Sequence, residues 1–277
     1  MNCPANRLKY FMDQFKKATS GKSHEEPFVF EEDANLSLHF DSYAIQSVMR
    51  KSDPESLVLS YTRKMLGFLF FQPQPDRIAM IGLGGGSLAK YCTKYLPNSH
   101  FTAVEINARV IALRDKFHIP ADSDKFTVIQ ANGANFVANR QETVDVLLVD
   151  GFDEKGQPPK LCSAGFYDNC YAKLNDGGVM VVNLHGSDIK FGTYTSRIRD
   201  SFEGKVVVID AEDDSNKIVF AYKGKNFPPS ADPLLERARI SSMNQTASLN
   251  ITALKILQRS KIQKNHAEWE RFLGGAL

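Results

Sequence analysis

The chain has 277 residues and an apolar fraction of 43%, enough for one large domain with appendages built around a real core. Lys and Arg number 34 against 32 Asp and Glu, a formal charge of +2, so nothing in the balance draws it to nucleic acid or to an anionic membrane. Cys3, Cys92, Cys162 and Cys170 form no CxxC pair and no ligand spacing with the six histidines, which predicts a reduced, cytoplasmic setting and no structural metal.

Residues 1 to about 26 carry a short helix pattern in Leu8, Phe11, Met12 and Phe15, without the apolar core of a secretory signal. Phe28 and Phe30, then Leu36, Leu38 and Phe40, alternate with polar partners across Asp33-Ala34-Asn35 and predict a small antiparallel hairpin. Ser52-Asp53-Pro54-Glu55 reads as a helix start, with a capping side chain, a proline in the first turn and an acid beside the positive end of the dipole. That helix is expected to carry Leu57, Tyr61, Met65 and Leu69 toward the strand that follows. The longest apolar patch, Met65 to Phe71, is far too short to span a bilayer.

From Arg77 to Lys90 the chain reads RIAMIGLGGGSLAK. The apolar run Ile78 to Ile81 predicts a strand buried on both faces, and it enters a turn containing Gly82, Gly84, Gly85 and Gly86. Leu88, Ala89, Tyr91 and Cys92 then recur at helical spacing, so free backbone N–H groups at the helix start face whatever lies above the strand end. Small residues belong there because the backbone must approach a ligand closely. Gly82-x-Gly84-x-Gly86 fits the loop of S-adenosyl-sulfonium-dependent transferases, while Gly84-x-Gly86-x-x-Ala89 fits a loose dinucleotide fingerprint. A phosphate-cradling Walker loop is excluded, since no Gly-Lys-Ser/Thr follows.

Strand and helix alternate beyond the turn. Strands are predicted at Phe101–Ile106, which includes Glu105, at Phe126–Gln130, at Val144–Val149 leading to Asp150, and at Gly178–Leu184; helices at Ala108–Phe117, Asn135–Asn139 and Phe166–Leu174. Between Leu184 and Lys205 no element is predicted. Lys205–Ile209 and Lys217–Tyr222 then form an antiparallel hairpin at the sheet edge. The pattern is that of an α/β fold, a doubly wound and mostly parallel seven-stranded sheet with ligands at the carboxyl ends of its strands. Pro228, Pro229 and Pro233 mark a boundary, and Leu249, Leu254, Leu257, Trp269 and Phe272 predict a terminal helical extension. Three segments follow: an N-terminal helix and β unit over 1–60, a Rossmann-like nucleoside-binding domain over 61–227, and the extension over 228–277. Lys255, Arg259, Lys261 and Lys264 read as a solvated helix face.

The residues at the sheet ends resemble, in order, those of the polyamine aminopropyltransferases, the spermidine synthase family. The likeness runs from about Leu36 to Tyr222, and its most specific piece is VDGFDEKGQPPKLCSAGFYDNCYAKLNDGGVMVVNL. It implies a class I methyltransferase-like sheet behind a small N-terminal β unit, in a homodimer. It also implies a site. Glu105 would accept hydrogen bonds from both ribose hydroxyls. Asn132, beside Gly133, stands where the family has Asp near the adenine amine, and the same pair reads equally well as an Asn-Gly turn. Asp150 would orient and deprotonate the attacking amine, and Asp153 would help hold it. Tyr61 would assist this step, and Gln46 would face the nucleoside. An alkylammonium with pKa near 10.4 is only about one part in two thousand neutral at pH 7, a deficit of about 4 to 5 kcal/mol that a base within hydrogen-bond reach can offset.

The sequence also departs from the family. The glycine run is followed by Ser87, where the family has an Asp that pairs with the amino group of the decarboxylated donor. Two like charges about 4 Å apart cost on the order of 4 kcal/mol at an effective dielectric near 20, so without that Asp a main barrier to ordinary S-adenosylmethionine is gone. Ser60, Thr62 and Arg63 replace the usual neighbours of the tyrosine, and the aromatic pair that walls the polyamine channel is absent. The resemblance therefore implies aminopropyl transfer from decarboxylated S-adenosylmethionine to a small-molecule amine, with no metal. The alternatives are an S-adenosylmethionine-dependent methyltransferase and a noncatalytic nucleoside-binding paralogue. A nicotinamide oxidoreductase would explain Glu105 but not the pair Asp150 and Asp153.

Overall fold

The computed structural model describes residues 26–40, 45–153, 156–211, 215–225, 227 and 248–274, with side chains described to 261 in the last segment. The expected helix before residue 26, the prolines at 228, 229 and 233, and the side chains of Lys264, Trp269 and Phe272 lie outside the described residues.

Three strands open the chain: β1 (Phe28–Glu31), β2 (Asn35–His39) and β3 (Ile45–Arg50). The first two form the expected hairpin, with Phe30 opposite Ser37, and β3 adds an antiparallel third strand to β2 beyond those expected from the sequence. The helix start at Ser52 is corrected. Residues 51–56 are a turn: the Asp53 amide bonds the Arg50 carbonyl at 3.2 Å, and the Ser56 amide and hydroxyl close on the Asp53 carbonyl at 3.1 and 2.8 Å. Asp-Pro here closes a turn instead of launching a helix. Helix α1 (Ser60–Met65) begins later and tightens into a 3-10 turn over Leu66–Phe70. The Arg63 guanidinium donates to the carbonyls of Leu57 and Val58 at 2.7 and 2.8 Å, pairing the extended segment that leads in.

The main sheet follows. Its elements are β4 (Arg77–Ile81), α2 (Ser87–Tyr95), β5 (His100–Glu105), α3 (Ala108–Ile111), β6 (Phe126–Gln130), α4 (Gly133–Ala138), β7 (Val144–Val149), α5 (Ala164–Lys173), β8 (Leu174–His185), α6 (Phe191–Ser201), β9 (Val206–Asp210) and β10 (Asn216–Lys223). The strand order is β6-β5-β4-β7-β8-β10-β9, parallel from β6 through β8, with β10 antiparallel to both β8 and β9. The seven strands and the edge hairpin are those predicted. Helix α3 is shorter than the predicted Ala108–Phe117. Past it, i to i+3 bonds such as Arg114 N to Ile111 O tighten the chain until His118 takes a positive φ of 53°. Helix α6 occupies the interval for which no element is predicted.

Each central strand feeds two cores by simple alternation. Ile78 and Met80 of β4 join Phe101, Val146, Leu148, Ile218 and Phe220 on one face, together with Leu36, Leu38 and Met49 of the N-terminal sheet. Ala79 and Ile81 join Leu147, Val149, Met180 and Val219 on the other, under Val137, Phe166, Ile198 and Phe202 of the covering helices. Each such aliphatic or aromatic side chain contributes about 1.5 to 3 kcal/mol of burial.

The last helix, α7 (Leu249–Gly274), lies on the first of these cores. Among its described residues Leu249, Ala253, Ile256 and Leu257 are buried apolar side chains, whereas Leu254, expected on the apolar face, is 55% exposed. The solvated basic face is also corrected in part. Lys255 Nζ donates to the Asp210 carbonyl at 3.2 Å, and Arg259 to its Oδ2 at 2.9 Å, because α7 packs beside the end of β9.

The strand order reverses at β4, which has β5 on one side and β7 on the other. Crossovers leave a strand in opposite directions at such a point, so the crevice above its carboxyl end is open to a ligand.

Candidate active site

The glycine turn sits in that crevice. Gly82 N donates to the Val104 carbonyl and Asp150 N to the Ile81 carbonyl, both at 2.9 Å, so the ends of β4, β5 and β7 are tied together. Gly82 has φ 91°, and a Cβ there would come within 2.3 Å of the Asp150 carbonyl oxygen; only glycine lets the two strand ends meet. A Cβ on Gly84 would meet only the Ser47 Cβ at 3.9 Å, and Gly84 borders the cavity. Gly85 and Gly86 do not border it. Their backbone presses on Phe117 and Ile119, where a Cβ would come within 2.8 and 2.5 Å of those side chains.

The cavity has a volume of about 1260 Å³. Glu105 closes β5 and is buried. Its Oε2 accepts from Leu83 N at 2.9 Å and its Oε1 from Asn107 N at 2.8 Å, which fixes the carboxylate on the cavity wall. Two amides occupy about half of its acceptor capacity, leaving a pair of sites that a diol could fill. Asn132 also reaches the wall, but its Oδ1 caps α4, accepting from Ala134 N at 2.9 Å and Asn135 N at 3.4 Å. A helix start needs its free N–H groups paired, so the oxygen is committed there and Nδ2 remains for a ligand. Gly133 beside it lets α4 close on β4, since a Cβ would lie 2.4 Å from Ile81 Cγ2.

Asp150 follows β7 at the crevice floor. Its Oδ1 accepts from Asn183 Nδ2 at 2.8 Å, and the Tyr61 hydroxyl also hydrogen-bonds the carboxylate. Burial pushes this carboxyl above the ordinary Asp range, against the two hydrogen bonds that favour the ionised form. Tyr61 Oη also lies 3.4 Å from the Gln46 carbonyl oxygen, so this one side chain of α1 links β3 of the N-terminal sheet to the Asp150 carboxylate. Asp153 stands exposed on the loop after β7, its amide bonded to the Gly156 carbonyl at 2.9 Å. Ser87 heads α2, its hydroxyl 3.3 Å from that of buried Ser47.

Gln46, Tyr61, Gly82, Gly84, Ser87, Glu105, Asn132, Gly133, Asp150 and Asp153 thus border one cavity, drawn from both sheets. Asn183, Ser47, His185 and Asn216, to which the sequence pattern assigns no role, border it too. Asn183 did leave a signal, a single amide within the apolar run Val181-Val182-Asn183-Leu184. Among the described residues no group of three His, Cys, Asp or Glu could hold a metal ion. Nor is any helix among them long and apolar enough to cross a membrane.

Comparison with known proteins shows which family shares this sequence and fold. The spermine/spermidine synthase domain matches residues 59–190. A polyamine aminopropyltransferase of Neisseria meningitidis serogroup A is 38% identical over 210 residues, 75% of this chain and 80% of that protein. The chain belongs to the spermine/spermidine synthase family. A polyamine aminopropyltransferase of Chromobacterium violaceum is 39% identical over 194 residues, covering 69% of this chain and 74% of the relative. Membership makes the chain an enzyme of the transferase class. Solved structures show how far the fold is shared. A spermidine synthase in complex with the transition-state analogue AdoDATO superposes with TM-score 0.60 at 20% identity, over 78% of each chain. Human methyltransferase-like protein 13 in complex with SAH does so at 0.58 and 21%, over 70% of this chain and 92% of that one.

Proposed function

We propose that this member of the spermine/spermidine synthase family moves an aminopropyl group from decarboxylated S-adenosylmethionine to a small-molecule amine, with Asp150 activating the amine. The observation that carries the reading is the carboxylate of Asp150 at the strand ends, held by Asn183 and Tyr61 on the floor of a cavity that Gly84 and Glu105 also border. Glu105 takes the ribose hydroxyls on its remaining acceptor sites, with Asn132 Nδ2 donating to the adenine side and Gln46 facing the nucleoside.

The chemistry is a displacement at carbon. The amine nitrogen gives its lone pair to the propyl carbon bonded to sulfur, the carbon–sulfur bond breaks, and its electrons neutralise the sulfonium to leave methylthioadenosine. The proton shed by nitrogen goes to Asp150. At pH 7 the acceptor is overwhelmingly an ammonium and must give up that proton before its nitrogen has a lone pair, and a carboxyl raised by burial holds the proton better than an ordinary Asp would. Asp153, at the mouth, holds the acceptor.

Replacing Asp150 by Asn keeps the shape and removes the base. Turnover is expected to fall by about two to four powers of ten while calorimetric affinity for the nucleoside donor stays close to that of the parent. Unchanged turnover would take Asp150 out of the mechanism.

A second reading rests on Ser87. Without a carboxylate at that position the cavity admits the carboxylated donor, and the same acidic floor would then steer an amine toward methyl transfer. As in the family at large, we take the working form to be a homodimer, which sedimentation would test against the 31.0 kDa chain mass. Buried and unpaired thiols at Cys92, Cys162 and Cys170 support a reducing, cytoplasmic setting.

A further inference from the structure

Asn183 is 2% exposed and holds a carboxylate with an amide whose two ends are chemically opposite. Its Nδ2 can donate to Asp150, but its Oδ1, turned the same way, would face the carboxylate with a lone pair. What decides the orientation is the partner at the other end. Asn216 Nδ2 donates to Asn183 Oδ1 at 2.8 Å. The main chain of Asn183 is separately fixed, its carbonyl accepting from Gln157 Nε2 at 2.9 Å, so that the side-chain torsion is the remaining freedom.

Asn216 is itself placed by the edge hairpin. It opens β10 opposite His185 of β8, its carbonyl accepts from Ala211 N at 3.0 Å, and next to it the Ser215 carbonyl accepts from Gly186 N at 2.7 Å. At the same end of the hairpin, opposite Lys217, Asp210 is gripped by α7, through Arg259 at 2.9 Å and Lys255 at 3.2 Å, and by Lys217 of β10. A continuous set of contacts therefore runs from the last helix through the hairpin to the crevice floor.

We infer that Asn216 is a positioning residue for the reaction: it locks the Asn183 amide with its N–H toward Asp150, so that the base is kept ionised and aimed. This rests on the reading of Asp150 as the base. Nothing about the family motif requires it, since the β9–β10 turn lies outside the residues that the synthase domain matches. Without the Asn216 donor the Asn183 amide can turn over, the hydrogen bond to the ionised carboxylate is lost, and the proton is held more tightly. The titratable group in contact with Asp150 is the Tyr61 hydroxyl; Glu105, Asp153, Lys160, His185 and Asp188 share the cavity wall, and all of these are left in place by the change.

The test is the pH profile of kcat/KM for Asn216→Ala, with Asn216→Thr as a second variant whose β-branched side chain favours the strand. Both are expected to move the acid limb up by about one pH unit, lowering kcat/KM roughly tenfold on that limb, while donor affinity by calorimetry is unchanged. An acid limb at the parental pH in either folded variant overturns the inference, even where the rate falls uniformly. The two failures are separable: if Asp150→Asn retains turnover the reading of the base is wrong, whereas if it loses turnover and the limb does not move, only the role of Asn216 is.

Discussion

At the scale of single residues, the site is governed by a carboxylate kept in an unfavourable place. Asp150 is raised by burial in the folded chain and returns to an ordinary value when the chain unfolds. The sign follows from proton binding. The folded state holds this proton more tightly than the unfolded state, so the group's contribution to stability is full below the usual Asp value near 3.9. That contribution declines as pH rises through the raised pKa, and above it the ionised, buried group is a constant penalty. Asp150→Asn is therefore expected to melt at or above the parental temperature at pH 7, with the difference vanishing in acid, even as turnover collapses. A marked drop in its melting temperature at pH 7 would mean that the carboxylate is structural. Ser87 is the second residue with a decisive position. Ser87→Asp places a carboxylate at the head of α2, and the ratio of calorimetric affinities for decarboxylated over intact S-adenosylmethionine is expected to rise at least roughly tenfold. An unchanged ratio would show that the donor's carboxylate lies elsewhere.

At the scale of elements, the glycine turn does two jobs that the sequence pattern merges into one. Gly84 opens onto the cavity, whereas Gly82 joins strands and Gly85 and Gly86 let the loop settle on Phe117 and Ile119. A β-carbon at Gly82 strikes backbone rather than a movable side chain, so Gly82→Ala is expected to cost about 1 to 3 kcal/mol of unfolding free energy in denaturant titration. A loss below the error of the titration would mean that the β4 and β7 ends can part freely. Glu105 and Asp150 were legible because each is an acid closing an apolar strand, and strand ends of a doubly wound sheet converge. Asn183 and Asn216 were not, because an amide has many ordinary places in a strand, and its role depends on a partner 33 residues away. Helix α6 escaped notice since its core contacts Phe191, Tyr194 and Ile198 are separated by small polar residues with weak helix propensity. The reverse error came from Ser52 to Glu55, whose residues cap a helix or close a turn equally well until the following chain is placed.

At the scale of the whole molecule, the main sheet was readable almost strand for strand. Its strands are buried on two faces, and that demand leaves continuous apolar runs that no turn or surface helix imitates. What the runs do not encode is how appended elements meet the sheet. The clamp of Lys255 and Arg259 on Asp210 depends on distant surfaces coming together, and local periodicity carries no trace of that. The result is a cavity with one wall from the N-terminal sheet, a floor from the main sheet and a flank from the hairpin beneath α7. On the proposed reading its bordering carboxylates suit a cationic amine, and Ser87 would leave a donor's carboxylate unopposed. The reaction products decide between the two transfers this allows. With a diamine and equal amounts of decarboxylated and intact S-adenosylmethionine supplied together, mass spectrometry is expected to find methylthioadenosine and an acceptor lengthened by three carbons and one nitrogen. A methylated acceptor accompanied by S-adenosylhomocysteine, or no product from either donor, would contradict the account.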